Sequence, residues 1–170
     1  VRKCDRYAGS INLFKDYQTF ANWCQDQPNY MNKEANGKFW ALDKDIIMPL
    51  NRAYSEETCC FIPSALNSLL CPSSRARGDS PLGVHWDNSI GYYKAQMSSG
   101  TRPNGDKTRI HLGLAKDPHA CHRLWQSAKI KQILAAIDCY GYLPDKVLQG
   151  LKLHATLIQS DLDNGTETIR

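Results

Sequence analysis

Asp43 and Asn67 are the two side chains of this 170-residue chain whose types and spacing best suit chemistry. Asp43 leaves an apolar run, Phe39 to Ile46, that reads as a strand. Asn67 follows a shorter run, Cys59 to Ile62, on a helix that Pro63 suits as a first-turn residue. The order is strand, long loop, strand, helix. Folded as a hairpin covered by its helix, it would bring a carboxylate and an amide oxygen together. Such hard donors, with water and two phosphate oxygens, complete an octahedron around magnesium or manganese. An ion held there would stabilise a leaving 3′-oxygen while a nearby base activates water. Taken singly each residue has a plainer reading, since strand-end aspartates face solvent and helix asparagines cap or bond locally.

The surrounding residues strengthen the pair. Trp40, Leu42, Asp43, Lys44, Asp45 and Ile46 are followed by Tyr54, Ser55, Glu57, Thr58, Cys59, Cys60, Phe61, Pro63 and Asn67. Ahead of them stand Cys4-Asp5-Arg6-Tyr7 and Phe20-Ala21-Asn22-Trp23. Over about the first seventy residues this resembles the ββα-metal core of the phage homing-type HNH endonucleases. The resemblance implies metal ligation by Asp43 and Asn67 and a magnesium- or manganese-dependent cut in DNA. It also exposes a departure. Where the usual pattern has a general-base histidine, this chain has Lys44, and its first histidine is His85. A lysine is protonated near neutral pH unless strongly desolvated, and would position a phosphate more readily than deprotonate water. Asp45, or a metal-bound water, is left as the source of the base. The catalytic set is therefore Asp43, Lys44, Asp45 and Asn67. A structural zinc site has little support, because no Cys-Xaa-Xaa-Cys pair exists and adjacent Cys59 and Cys60 would point to opposite faces of a strand.

A second constellation lies in the middle of the chain. The net charge is +4, but residues 73–134 hold ten Lys/Arg against four Asp/Glu, whereas residues 1–72 balance eight against eight. A local basic face suits a polyanion, most simply nucleic acid, although a solvated face would look the same. Three strand-like runs, Gly83–Trp86, Tyr92–Met97 and Thr108–Gly113, precede a helix opened by Asp117-Pro118. Alternation directs Val84, Tyr93, Ala95, Met97, Ile110 and Leu112 to that helix. Trp86, Tyr92, Lys94, Gln96, Arg109 and His111 are assigned to the outer face. An exposed sheet of this make-up fits a major groove. Arg109 would reach a guanine edge and Gln96 an adenine edge, Lys94 and Lys107 are directed to phosphates, and Arg102 joins the DNA-binding set. Gly83-Val84-His85-Trp86, Tyr93-Lys94-Ala95, His111-Leu112-Gly113 and the helix with Ala120 and Ala128-Lys129 resemble the plant ethylene-response-factor (Apetala-like) DNA-binding domain. That likeness implies double-stranded DNA as the partner, with Lys94 and Leu114 departing from the usual residues.

These readings predict an α+β protein: an HNH-like module over 1–72, a linker over 73–82, a three-stranded antiparallel sheet on a long helix with a C-terminal helix over 83–160, and a frayed polar tail over 161–170. The helix near the start is expected from about Leu13 to Gln27. Gly141 should end the long helix, and a last short one should begin near Pro144. Seven cysteines without regular spacing read as small core residues in a reducing compartment. The charged first residues lack an apolar stretch, and no run reaches membrane-spanning length, so the expected setting is the cytoplasm of an infected bacterial cell, with no membrane partner. Arg77-Gly78-Asp79 is read as linker and not as an adhesion signal. His119 and His122, three apart on one helix face, are read as surface or capping residues ahead of a metal pair. Three functions follow: a targeted endonuclease or nickase, a catalytically impaired DNA-binding regulator or inhibitor of another DNA enzyme, or a protein-binding inhibitor without DNA affinity.

Overall fold

The computed structural model describes residues 9–70, 79–101 and 107–169, and the chain is α+β, with four helices and three small sheets among them. It divides into two compact units: Val1–Leu70 with Leu143–Gly150, and Cys71–Tyr142 with Leu151–Arg170.

In the first unit, β1 (Ile11–Asn12) leads into α1 (Tyr17–Asp26). This helix starts four residues later than the periodicity suggests, because Asp16 caps it, its Oδ1 accepting from Thr19 N at 2.7 Å. β2 is short, Ala41–Asp43, and β4 is Cys60–Ile62. They pair antiparallel, with Ala41 opposite Ile62, Leu42 opposite Phe61 and Asp43 opposite Cys60. Successive side chains alternate faces. Leu42 and Phe61 therefore join an aromatic core with Phe14, Trp23, Cys24 and Cys59, while Asp43 and Cys60 share the other face. α2 (Ser64–Leu70) follows β4 and lies beside β2. Its first backbone N–H, on Ser64, is capped from a distant loop by Glu34 Oε1 at 2.6 Å. β3 (Ala53–Tyr54) pairs with β1 in parallel, an association the sequence reading did not contain.

In the second unit, β5 (Val84–Asp87), β6 (Tyr92–Thr101) and β7 (Lys107–Ala115) form an antiparallel sheet in that order. α3 (Pro118–Cys139) covers one face, starting where Asp117-Pro118 predicts, with Asp117 accepting from the backbone N–H groups of His119 and Ala120. Val84, Ala95 and Cys121 are the buried centre. Gly83 adopts φ +75°, and a Cβ there would lie 2.0 Å from the Trp125 ring, so only glycine lets the strand reach the helix.

The last helix, α4 (Asp145–Asp163), is longer than expected. Its residues up to Gly150 belong with the first unit and the remainder with the second. The described part of the polar tail over 161–170, expected to fray, is instead docked through Thr168. Thr168 is 1% exposed. Its N–H donates to His122 Nε2 at 3.0 Å, and its hydroxyl donates to Asp161 Oδ2 at 2.8 Å while accepting from Gln126 Nε2 at 3.0 Å. Most of the expected linker, with Arg77 and Gly78 of the tripeptide, lies outside the described residues, as do Cys4 and Cys71. The described cysteines are free, with Cys24, Cys59, Cys60 and Cys121 buried and Cys139 exposed. Among the described residues no helix is long and apolar enough to cross a membrane.

Candidate metal centre and nucleic-acid interface

Asp43 ends β2 at 7% exposure. Its Oδ1 accepts from Asp45 N at 2.9 Å and from Ile46 N at 2.7 Å, so the carboxylate shapes the turn that ends the strand. Burial, then the charge of Asp45, pushes its carboxyl up to about 6, against the pull of those two N–H donors. A buried carboxylate next to a second carboxylate is a place where positive charge would be welcome. Opposite it, burial and the Asp43 charge push the Cys60 thiol up to about 12, which leaves it neutral and inert.

Lys44 is not free to act alone. Its ammonium donates to Asp45 Oδ2 at 3.0 Å and to Asn51 O at 3.1 Å, with the Tyr54 ring 5.9 Å away. Asn51 answers by donating to Lys44 O at 2.6 Å and to Ala53 O at 2.7 Å. Asp45 stays 44% exposed. Asn67 sits half-buried on α2, the helix beside β2, with its backbone N–H on Pro63 O. The donors present on these adjoining elements are two carboxylates and one amide, all hard oxygen, and they fit magnesium or manganese by type. Among the described residues no three His, Cys, Asp or Glu side chains form a metal-holding group, so a cation here would draw on Asn67 and on solvent or substrate oxygens.

On the outer sheet face, strand register and burial bring together most of the expected residues. Tyr92, Lys94 and Gln96 alternate along β6, and His111 lies opposite Gln96. Arg109 Nη1 donates to Gln96 Oε1 at 3.5 Å. Lys116 lies 5.8 Å from the Tyr92 ring. Arg102 lies outside the described residues, and Lys107 opens β7 without a described side chain. Trp86 is a correction. It is two residues from Val84, so a strand must place both on one face, and Trp86 meets the helix-side Tyr93 edge-on at 4.8 Å. His85 and Asp87 take the outer positions instead, opposite Lys94 and Tyr92. Parity was the signal that could have found them. Lys94 is ion-paired with Asp87, whose carboxyl is held far below the usual range by that lysine and by the hydroxyl and N–H of Ser89. Burial and the neighbouring Lys94 and Arg109 push the His85 imidazole down.

The His119–His122 pair dissolves. His122 is buried, with Nε2 accepting from Thr168 N and Nδ1 2.9 Å from Leu82 O. Since Nε2 accepts, the proton is on Nδ1, and the neutral ring is a strut between two chain segments. His122 is thus neither a surface residue nor open to a metal.

No protein-family model matches this chain, and no curated protein or solved structure proved significantly similar to it.

Proposed function

We propose that this chain is a DNA endonuclease or nickase of the phage HNH type, with a sheet that binds double-stranded DNA in its second unit. The observation that carries the reading is Asp43. It is buried at the end of β2, beside Asp45, within a strand–loop–strand–helix order whose helix bears Asn67. Asp43 and Asn67 would hold one magnesium or manganese ion, which when bound would stabilise the charge that grows on the leaving 3′-oxygen. Asp45 is the exposed carboxylate suited to take the proton of the attacking water. Lys44, tied to Asp45 and Asn51, would hold the loop and offer positive charge to a phosphate.

A second reading is supported by Lys44 itself. Its ammonium is engaged in building the loop, and the residue occupies the sequence position that the HNH resemblance gives to a general-base histidine. The chain would then be a catalytically impaired derivative acting as a DNA-binding regulator or an inhibitor of another DNA enzyme. A supercoiled-plasmid assay with magnesium or manganese, paired with a gel shift in EDTA, separates the two. Metal-dependent nicking that is lost in Asp43→Ala, with retention in the gel unchanged, supports the nuclease. Retention without nicking at high protein concentration supports the derivative. Absence of duplex binding at low salt, where basic proteins bind most strongly, would refute both.

A further inference from the structure

The loop between Lys44 and Asn51 is built as a rigid frame with an apolar tip. Its ends are stitched by Asn51 Nδ2 on Lys44 O and by Lys44 Nζ on Asn51 O. Asn51 Oδ1 also accepts from Ala53 N, and Asn51 N closes a turn onto Met48 O. Ile46 anchors the inner limb at 0% exposure. Against that frame the tip does the reverse of what folding alone favours. Met48 is 54% exposed and Leu50 65%. Leu50 also sits at φ +65°, the only non-glycine at positive φ among the described residues. Glycine or asparagine would take that conformation at less cost. A leucine there is strained and, mostly exposed, gains little from burial, and strain of this kind persists where the surroundings over-determine it and function uses it.

We propose that Met48-Pro49-Leu50 is a wedge for duplex DNA, entering the minor groove and partly unstacking one base step. The inference rests on the DNA reading above and deepens it. Methionine, proline and leucine are among the side chains suited to parting stacked bases, since they offer apolar bulk without a hydrogen-bonding demand. Arg52, exposed and one residue past the stitch, supplies a cation for the flanking backbone. The tip is three residues long and rigidly held, which suits insertion at one step better than the broad patch a protein partner needs. The wedge leaves the chain directly after Asp43-Lys44-Asp45, so an opened step would lie close to the proposed cutting residues.

The test uses the full chain in EDTA with mixed-sequence duplexes carrying 2-aminopurine at scanned positions. Binding is followed by anisotropy on the same samples. The parent should bind and brighten the probe at a subset of positions. Leu50→Asn and Leu50→Gly keep or ease the left-handed backbone and remove the apolar side chain. Both should abolish brightening while Kd weakens by less than about tenfold, and both should melt at or above the parent temperature. Brightening undiminished in both variants overturns the wedge and leaves DNA binding standing. A clear fall in melting temperature in both assigns Leu50 to structure and overturns it as well. A parent that binds no duplex removes the DNA reading and the wedge with it.

Discussion

Asp43→Asn should stabilise the metal-free protein while it abolishes metal-dependent nicking. Asparagine matches the shape of the buried carboxylate and keeps an oxygen for the N–H groups of Asp45 and Ile46, but carries no charge. In the parent, burial and Asp45 push the Asp43 carboxyl up to about 6. Its ordinary value is near 3.9, and two units at ~1.36 kcal/mol each is ~3 kcal/mol of opposition to the charged form. That opposition is already net of the two N–H donors, but the amide brings a buried NH2 that the carboxylate lacked, and an imperfectly paired donor returns about 1–2 kcal/mol of the gain. The net gain expected at neutral pH is ~1–2 kcal/mol, or roughly 2–8 °C in Tm for a chain of this size.

The pH window follows from the raised value. The folded state holds this proton more tightly than the unfolded state, so the contribution of Asp43 is complete below about pH 4 and gone once the pH has risen past about 6. Thermal unfolding in EDTA across pH 4.5–8 should show a decline with rising pH in the parent that the asparagine variant lacks. Added magnesium should raise the Tm of the parent and leave the variant where it was. If the variant in EDTA at pH 7–8 is less stable than the parent by more than about 1 kcal/mol, the charge-assisted bonds to the turn outweigh the burial of the charge, and Asp43 is a structural cap and not a poised ligand.

Asp87→Asn should tighten duplex binding several-fold at low salt, because it frees Lys94 while an amide oxygen still serves Ser89, whereas Arg109→Ala should weaken binding to the preferred duplex by about 1–3 kcal/mol and relax the preference for guanine at one position; gel shifts with preferred and guanine-substituted duplexes check both. The Asp87 carboxyl is held below the usual carboxylate range by Lys94 and Ser89, so the gain in Asp87→Asn should persist on mild acidification. His122→Ala leaves Leu82 O and Thr168 N without their partner, which should cost ~2–4 kcal/mol in thermal or denaturant unfolding and make the tail digestible by carboxypeptidase under native conditions.

What could be read in advance was local. Asp117-Pro118 announces α3 because an N-cap acceptor and a residue with fixed φ need nothing from the rest of the chain. The three strands of the second sheet show in the alternation of Tyr93, Ala95 and their neighbours. That alternation misleads where the register slips. Between Ala95 and Gln96 the pairing with β7 shifts by a residue, so the helix-facing positions pass from Leu112 to Ala115. Leu114, opposite Lys94, is consequently an outer residue, 47% exposed, and Gly113 at φ +156° was the visible trace of the irregularity. The pairing of β1 with β3 was not legible, because two-residue strands forty residues apart carry no period of their own. Nor was the docking of Thr168, which depends on the nitrogens of one buried histidine. For the candidate site, Asp43, Asp45 and Asn67 could be chosen from sequence by residue type. The hydrogen bonds that hold Lys44 and the burial that raises the Asp43 carboxyl belong to the fold.

The same distinction decides what supports Asp43. Its turn is held partly by Ile46 N, and Ile46 is in turn covered from a segment a hundred residues later. A Cβ on Gly150 would fall 2.2 Å from Ile46 O and 2.9 Å from Ile47 Cα, so helix and turn touch backbone to backbone and only glycine permits it. Gly150→Ala must therefore move either the start of α4 or the turn. On helix propensity alone alanine should gain ~1 kcal/mol over glycine, so the two effects have opposite signs and can be told apart. The overpacking should win by ~1–3 kcal/mol net, seen as a lower denaturant midpoint at unchanged slope. If the displaced backbone is the turn, the magnesium-induced rise in Tm should shrink in the same variant. A variant more stable than the parent would show that the two backbones part without cost, and that the end of the chain contributes nothing to holding Asp43.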